Sequence, residues 1–259
     1  MKNVRLKYLI MGLFVCAAVS FAGVSCVQYF TSNTGSYIDM ETLELVQKEQ
    51  PKEGDTIATI KTSLGDIKCV LYPEYAPETV KHFTELAESG YYDDTYIFNS
   101  EPGVYFSAGS PLKNGDLDAN KPEGTEEWER EVHQNLWPFR GALCSLTTGE
   151  KGGFWDKLNK NTKIMNGSRF AVLNSSEFTD ELKEQLLESD ENTVIADEFI
   201  KLGGVPALSQ EVTVFGQTYE GFDVIDKLTS LEITIMEDGL KSPQEDIKIE
   251  TVEIGKYGE

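Results

Sequence analysis

The chain has 259 residues, enough for one large domain with a proper core, and its apolar and charged fractions are those of a globular protein. Its net charge is −21, from 44 acidic and 23 basic residues. Because the first thirty residues carry three basic and no acidic side chains, the rest carries −24, which excludes adhesion to nucleic acid or to anionic lipid.

The N-terminal segment, residues 1–30, is typical of an export signal. Lys2, Arg5 and Lys7 precede 23 mostly apolar residues, Tyr8 to Phe30, long enough to cross a bilayer. Two alternatives remain open: an uncleaved signal anchor, or a lipoprotein signal cut before Cys26, which would then be lipidated. Both predict a membrane-anchored protein on the extracytoplasmic face.

Residues 31–54 are polar, end in the breakers of QPKEGD, and are predicted to form a stalk. The four cysteines show neither a CxxC motif nor a Cys/His cluster, so we expect no metal site. Cys69 and Cys144 lie singly in apolar strand-like stretches, where buried thiols are usual. A disulfide between them is compatible with export, and the sequence leaves it open.

The folded domain is predicted to span residues 55–259. Two alternating strands, DTIATIKTS and GDIKCVLYP, precede a helix that begins at Pro77. Further strand-like stretches follow, then a short helix after Gly221 and a closing strand. An acidic insertion, residues 175–204, contains the helical pattern TDELKEQLLES. This order favours a mostly β fold: a closed, eight-stranded antiparallel barrel with two capping helices and a helical insertion.

Several blocks of the domain resemble the cyclophilin-type peptidyl-prolyl isomerases. They are IKTSLGDIKCVLYPEYAPETVKHFTELAESGYYDDTYIF, then PG, RGAL, NGSRFAV and VFGQTYEGFDVIDKL. The resemblance runs from about Thr56 to Ile254. It implies a barrel with a groove on one face that binds Xaa–Pro peptides, without metal or cofactor.

In that family the first strand of the hairpin reads Phe-His-Arg, and its Arg donates to the prolyl nitrogen. The matching residues here are Phe98-Asn99-Ser100, so Ser100 falls at the catalytic Arg position if the turn is one residue shorter. The family's groove residues are replaced mainly by smaller ones. The predicted groove positions are Asn99, Val104, Tyr105, Ser107, Thr147, Thr148, Phe170, Ala171, Ala207 and Val212.

Arg169, at the family's Gln position, is the candidate for a substitute catalytic donor; the alternative is a surface Arg paired with an acid such as Glu177. Two functions follow. One is an exported, membrane-tethered prolyl isomerase of weak activity that assists the folding of secreted proteins. The other is a catalytically silent module that binds peptides or proteins. Its partners would be Xaa–Pro peptides or unfolded secreted proteins, and we expect a monomer.

Overall fold

The computed structural model describes residues 41–116, 126–152, 162–188, 193–237 and 239–259. The export segment, residues 1–30, the first part of the predicted stalk and the candidate Cys26 lie outside these ranges. Within them, no helix is both long and apolar enough to cross a bilayer.

The two strands predicted first are confirmed. Strands β1 (Thr56–Thr62) and β2 (Gly65–Leu71) pair antiparallel through a tight turn, with Ile57 opposite Val70 and Thr62 opposite Gly65. Alternate side chains, among them Ile60 and Ile67, point into the core.

Helix α1 (Pro77–Glu88) closes one end of the sheet. Its predicted apolar stripe, which includes Val80 and Phe83, is buried. The Glu131 carboxylate accepts hydrogen bonds from Thr79 N at 2.8 Å and Thr79 Oγ1 at 2.6 Å. An acid from a distant loop therefore caps the positive end of this helix.

The remaining strands extend the sheet. They are β3 (Asn99–Glu101), β4 (Tyr105–Ala108), β5 (Trp128–Glu129), β6 (Ala142–Lys151), β7 (Lys163–Leu173), β8 (Thr213–Glu220), β9 (Ile233–Ile235), β10 (Lys241–Pro243) and β11 (Ile249–Lys256). In the described part of the chain the main sheet runs β11-β1-β2-β8-β6-β7-β4-β3, with β5 beside β7 and the β9–β10 hairpin separate. The pairs are antiparallel, as predicted.

The prediction of a closed barrel was wrong. The sheet curls into a half-barrel whose end strands, β11 and β3, do not pair with each other. The two ends approach beside the starts of these strands: Tyr96 bridges Lys248, Ile97 N donates to Ile247 O at 2.9 Å, and Ile249 N donates to Thr95 O at 2.9 Å. Strand β3 is only three residues long and contacts β10, and it forms no strand pairing with β11.

The acidic insertion is helical, as predicted, and holds two helices rather than one. Helix α2 (Asp180–Glu188) and helix α3 (Thr193–Leu202) pack together on the outside of the sheet. Phe199 of α3 lies 4.8 Å, centroid to centroid, from the ring of Phe139. The short helix after Gly221 is α4 (Phe222–Leu228), which makes four α-helices in the described ranges.

The structure answers the disulfide question that the sequence left open. Cys69 and Cys144 are both free and buried. Cys69 packs in the cluster on the inner face of the sheet with Ile60, whereas Cys144 packs in the cluster on the other face with Val214. The sheet itself separates the two thiols.

The described part of the predicted stalk packs on the domain. Gln47, in the one-turn helix Val46–Lys48, is 8% exposed. Its carboxamide accepts from Trp137 N at 2.6 Å and donates to Trp137 O and to Gln217 Oε1, both at 2.8 Å. Lys48 forms an ion pair with Glu198 of α3 at 2.6 Å. This segment therefore joins the sheet to the insertion.

We expect Gln47→Leu to lower the free energy of unfolding by about 1–3 kcal/mol, because it leaves buried polar groups of Trp137 and Gln217 without partners. Urea unfolding of the full chain in a mild detergent measures this change. Glu49→Gln, in an exposed ion pair of the same segment, is the matched control and should leave the midpoint unchanged. Equal midpoints for both variants would contradict this packing role.

Candidate active site

The hairpin of β3 and β4 sorts its side chains onto two faces. Asn99 lies opposite Ser107, Ser100 opposite Phe106, and Glu101 opposite Tyr105. Since directly opposed residues share a face and successive residues alternate, Asn99, Glu101, Tyr105 and Ser107 share one face. We call it the outer face.

Ser100, predicted at the catalytic Arg position, lies on the inner face. Its side chain is completely buried, and Oγ donates to the carbonyl of Leu228, at the end of α4, at 2.9 Å. Phe106, opposite Ser100, belongs to the main core. Side chains alternate between the two faces of a strand, so the neighbours of Ser100 in the sequence, Asn99 and Glu101, lie on the outer face and Ser100 does not.

The outer face continues onto β7 and β6. Ala171 lies opposite Ser107 on one side and opposite Cys144 on the other. Phe170, also predicted to line the groove, is turned inward instead; its ring packs 5.6 Å from that of Phe83 in the core. Of these two neighbours, Ala171 therefore reaches the outer face and Phe170 does not.

Apolar side chains cover the sheet next to this face. Val104, Tyr105 and Val212, three predicted groove positions, pack against the cluster that contains Cys144 and Val214. Burial raises the pKa of the Cys144 thiol far above its ordinary value. The thiol is therefore a packing group and not a nucleophile.

Ala207 does not face an open pocket. It packs against Leu182 and Leu186 of α2 and Ala196 of α3. The insertion thus supplies apolar volume beside the small side chain at this groove position. Two outer-face residues of the predicted groove that lie opposite each other, Ser107 and Ala171, are each only 3% exposed.

The two predicted threonines lie at the bulged part of β6. Thr147 pairs with Asn166, and Thr148 Oγ1 donates to Met165 O at 3.2 Å. Asn166 Nδ2 in turn donates to Thr213 Oγ1 at 2.8 Å, inside the protein. These contacts join β6, β7 and β8 at the edge of the candidate site.

Arg169, predicted as the substitute donor, is half-buried on β7. Its Nη1 donates to the carbonyl of Gly115 at 2.6 Å. The guanidinium thus holds the loop that follows β4. Ser100, by contrast, lies on the inner face and bonds to α4.

One group on the outer face was missed by sequence reasoning. Lys241 of β10 donates from its backbone N to Asn99 Oδ1 at 2.9 Å, and its Nζ forms an ion pair with the Glu101 carboxylate. No local pattern indicates this contact, because Lys241 is 142 residues from Asn99. The local sequence shows only that Glu101 follows Asn99 by two residues, so that both lie on the same face of the strand.

The family described as cyclophilin type peptidyl-prolyl cis-trans isomerase/CLD matches residues 57–254. This chain belongs to that family. Two crystal structures of one cyclophilin of Cryptosporidium parvum share the fold: the first has a TM-score of 0.53 at 21% identity, over 78% of this chain and 98% of its own. The other, crystallised in the presence of the dipeptide Ala-Pro, has a TM-score of 0.52 at 20% identity, over 77% and 98%.

Relatives by sequence include a Streptococcus pyogenes protein that carries the provisional name of a bifunctional phosphatase/peptidyl-prolyl cis-trans isomerase. It is 32% identical over 84% of this chain, and the chain spans about two fifths (42%) of that cyclophilin relative's length. A Staphylococcus aureus protein, provisionally named a peptidyl-prolyl cis-trans isomerase, is 26% identical over 80% of this chain and 95% of its own.

The two faces of β3 in this cyclophilin fold should respond differently to an arginine. We expect Ser100→Arg to abolish folding or to lower the free energy of unfolding by more than about 4 kcal/mol, because it buries an unpaired charge and overfills the core. In Asn99→Arg the guanidinium can reach solvent beside the partly exposed Lys241, so the loss in the free energy of unfolding should be smaller. Thermal unfolding of both full-length variants measures the difference. Equal losses would contradict the assigned faces.

Proposed function

We propose that this cyclophilin is an exported, membrane-tethered prolyl isomerase of weak turnover that assists the folding of secreted proteins. Family membership supports the reaction, and the basic, then apolar, N-terminus supports export and tethering. The acidic body would stay clear of anionic lipid headgroups, so only the N-terminal segment holds the membrane.

Prolyl isomerisation requires few catalytic groups. Rotation about an amide is opposed by a barrier of about 18–20 kcal/mol, because C–N resonance must be broken. When the bond twists, the prolyl nitrogen gains a lone pair. A donor aimed at this nitrogen stabilises the twisted state more than the planar one. Neither a nucleophile nor a general base takes part.

The observation that carries the proposal is the pairing of Asn99 with Ser107 on the outer face, with Ala171 beside them. Counting back from Pro102 without a gap places Asn99, not Ser100, at the family's Arg position, and Ser107 at its Gln position. The strand register supports this gap-free count, since both residues then share a face.

We expect weak turnover because the hydrogen-bond donor available to the prolyl nitrogen is the neutral side chain of Asn99. Asn99 has a neutral carboxamide, and its Oδ1 already accepts from Lys241 N, so only Nδ2 can donate. Hydrogen bonds to neutral donors are about half as strong as those to charged donors. The twisted amide is therefore stabilised less than by a guanidinium.

The second candidate, a silent peptide-binding module, is favoured by one observation. Asn99 is 7% exposed, and Ser107 and Ala171 are 3% exposed each. A face this covered would first have to open for a proline ring. If the outer face opens only slowly, binding of a partner is a more suitable function for it than rapid catalytic turnover.

Measurement of cis–trans exchange in an Ala-Pro peptide by NMR, with the full chain in detergent, tests the isomerase proposal. We expect a small enhancement with the natural chain. Asn99→Arg should raise the enhancement at least about tenfold, because one donor to the transition state is commonly worth ~2.7–4 kcal/mol.

Two outcomes decide between the candidates. If the natural chain gives no enhancement while the peptide still binds, the silent module is correct. If Asn99→Arg folds but gives no gain, Asn99 does not stand at the catalytic position. Glu220→Gln, on the far end of β8 in an exposed ion pair, serves as a control that should leave the exchange rate unchanged.

Tethering is tested separately. We expect added protease to digest the domain in intact protoplasts, because the domain lies outside the membrane. Cys26→Ser then distinguishes the two signals: a lipoprotein loses its lipid and its processed size, whereas a signal anchor keeps both its size and its membrane fraction. Protection of the domain from protease would contradict export.

A further inference from the structure

The polar side chains on the outer face of β3 differ in their access to solvent. Asn99, Ser107 and the side chain of Glu101 are each less than 9% exposed. Lys241 contacts Asn99 through its backbone N and Glu101 through its Nζ, and its side chain is 23% exposed. Among these four, Lys241 is the group that an arriving peptide can reach first.

Lys241 is held at both ends of its length. Its backbone N donates to Asn99 Oδ1, and its Nζ is paired with Glu101. Because residues two apart in a strand are separated by about 7 Å, the aliphatic part of Lys241 follows β3 from Asn99 towards Glu101. The ammonium is thereby fixed beside the outer face rather than left to move in solvent.

The ammonium has hydrogen-bonding capacity beyond the ion pair. A lysine ammonium has three donors and a carboxylate oxygen takes one of them. Its positive charge lies about two residues along the strand from Asn99, which is within reach of a carbonyl flanking the proline in an extended peptide. Glu101 holds this charge in place in a domain whose overall charge is strongly negative.

We propose that Lys241 is a substrate-binding residue of this isomerase, whose ammonium donates to a backbone carbonyl next to the bound proline. The proposal rests on the prolyl isomerase function proposed above. It assigns to β10 the charged donor that β3 and β4 lack. Asn99 meets the prolyl amide and Lys241 holds the neighbouring peptide unit.

The competing explanation is purely structural, namely that the pair of Lys241 and Glu101 only fastens the β9–β10 hairpin to β3. The two explanations differ in what happens when both charges are removed. A buried carboxylate that loses its partner destabilises the protein, whereas replacement of both partners relieves that cost. Stability and catalysis can therefore be separated.

The experiment compares Lys241→Met with the double variant Lys241→Met, Glu101→Gln in the full chain. NMR exchange of the Ala-Pro peptide gives kcat/KM, and thermal unfolding gives stability. We expect Lys241→Met to lower both, with kcat/KM about tenfold lower, the effect of losing one charged hydrogen bond. In the double variant stability should return while kcat/KM stays low.

Lys61→Met is the control, because Lys61 also forms a lysine–glutamate ion pair between two strands, with Glu253 of β11, but a more exposed one. It should leave kcat/KM unchanged. Lys241→Arg, which keeps a charged donor, should retain at least a third of the natural kcat/KM.

Each other result overturns the proposal. Recovery of kcat/KM together with stability in the double variant would show that the pair is only a fastener. A rise in kcat/KM on loss of Lys241 would show that the hairpin covers the site. If the natural chain accelerates exchange and Lys241→Met matches it, this inference fails alone. If the natural chain neither accelerates exchange nor binds the peptide, the proposed function fails with it.

Discussion

The pairing register of β3 and β4 determines which side chains this hairpin presents on the outer face and which it buries in the core. A strand alternates its side chains with a period of two, so the opposition of Ser100 with Phe106 commits Ser100 to the core and Asn99 to the outer face. The bond from Ser100 Oγ to Leu228 O then ties the hairpin to α4. Both the groups presented on the outer face and the packing of α4 against the half-barrel thus depend on the same register.

Small side chains at the groove do not leave an empty space, because other parts of the chain pack against them. Leucines of α2 lie against Ala207, and the cluster around Cys144 includes Val104 and Val212. Interiors are packed to nearly uniform density, so neighbouring elements fill the space beside a small side chain. The segment of Gln47 and Lys48 links the sheet to this insertion, because Gln47 bonds to Gln217 of β8 and Lys48 pairs with Glu198 of α3.

The sequence predicted what depends on near neighbours. The alternation in β1 and β2 and the stripe of α1 are local patterns, and the structure confirms them. Contacts between distant residues carry no such pattern: Asn99 meets Lys241 and Gln47 meets Gln217, 142 and 170 residues apart. Ser100 was assigned to the catalytic position by matching Phe98 to a family Phe, whereas the gap-free residue count back from the Pro-Gly turn, proposed above, would assign Asn99.

Burial affects this site in two opposing ways. A face shielded from water lowers the local dielectric constant, so even a neutral carboxamide such as that of Asn99 interacts more strongly with a developing lone pair. The same shielding opposes entry of the proline ring, since Ser107 and Ala171 are nearly inaccessible. A charged donor at the accessible margin reconciles the two, because Lys241 can engage the peptide before the proline enters the covered part. The order of contacts would therefore be Lys241 first and Asn99 second, with amide rotation, assisted only by the neutral donor of Asn99, as the slow step.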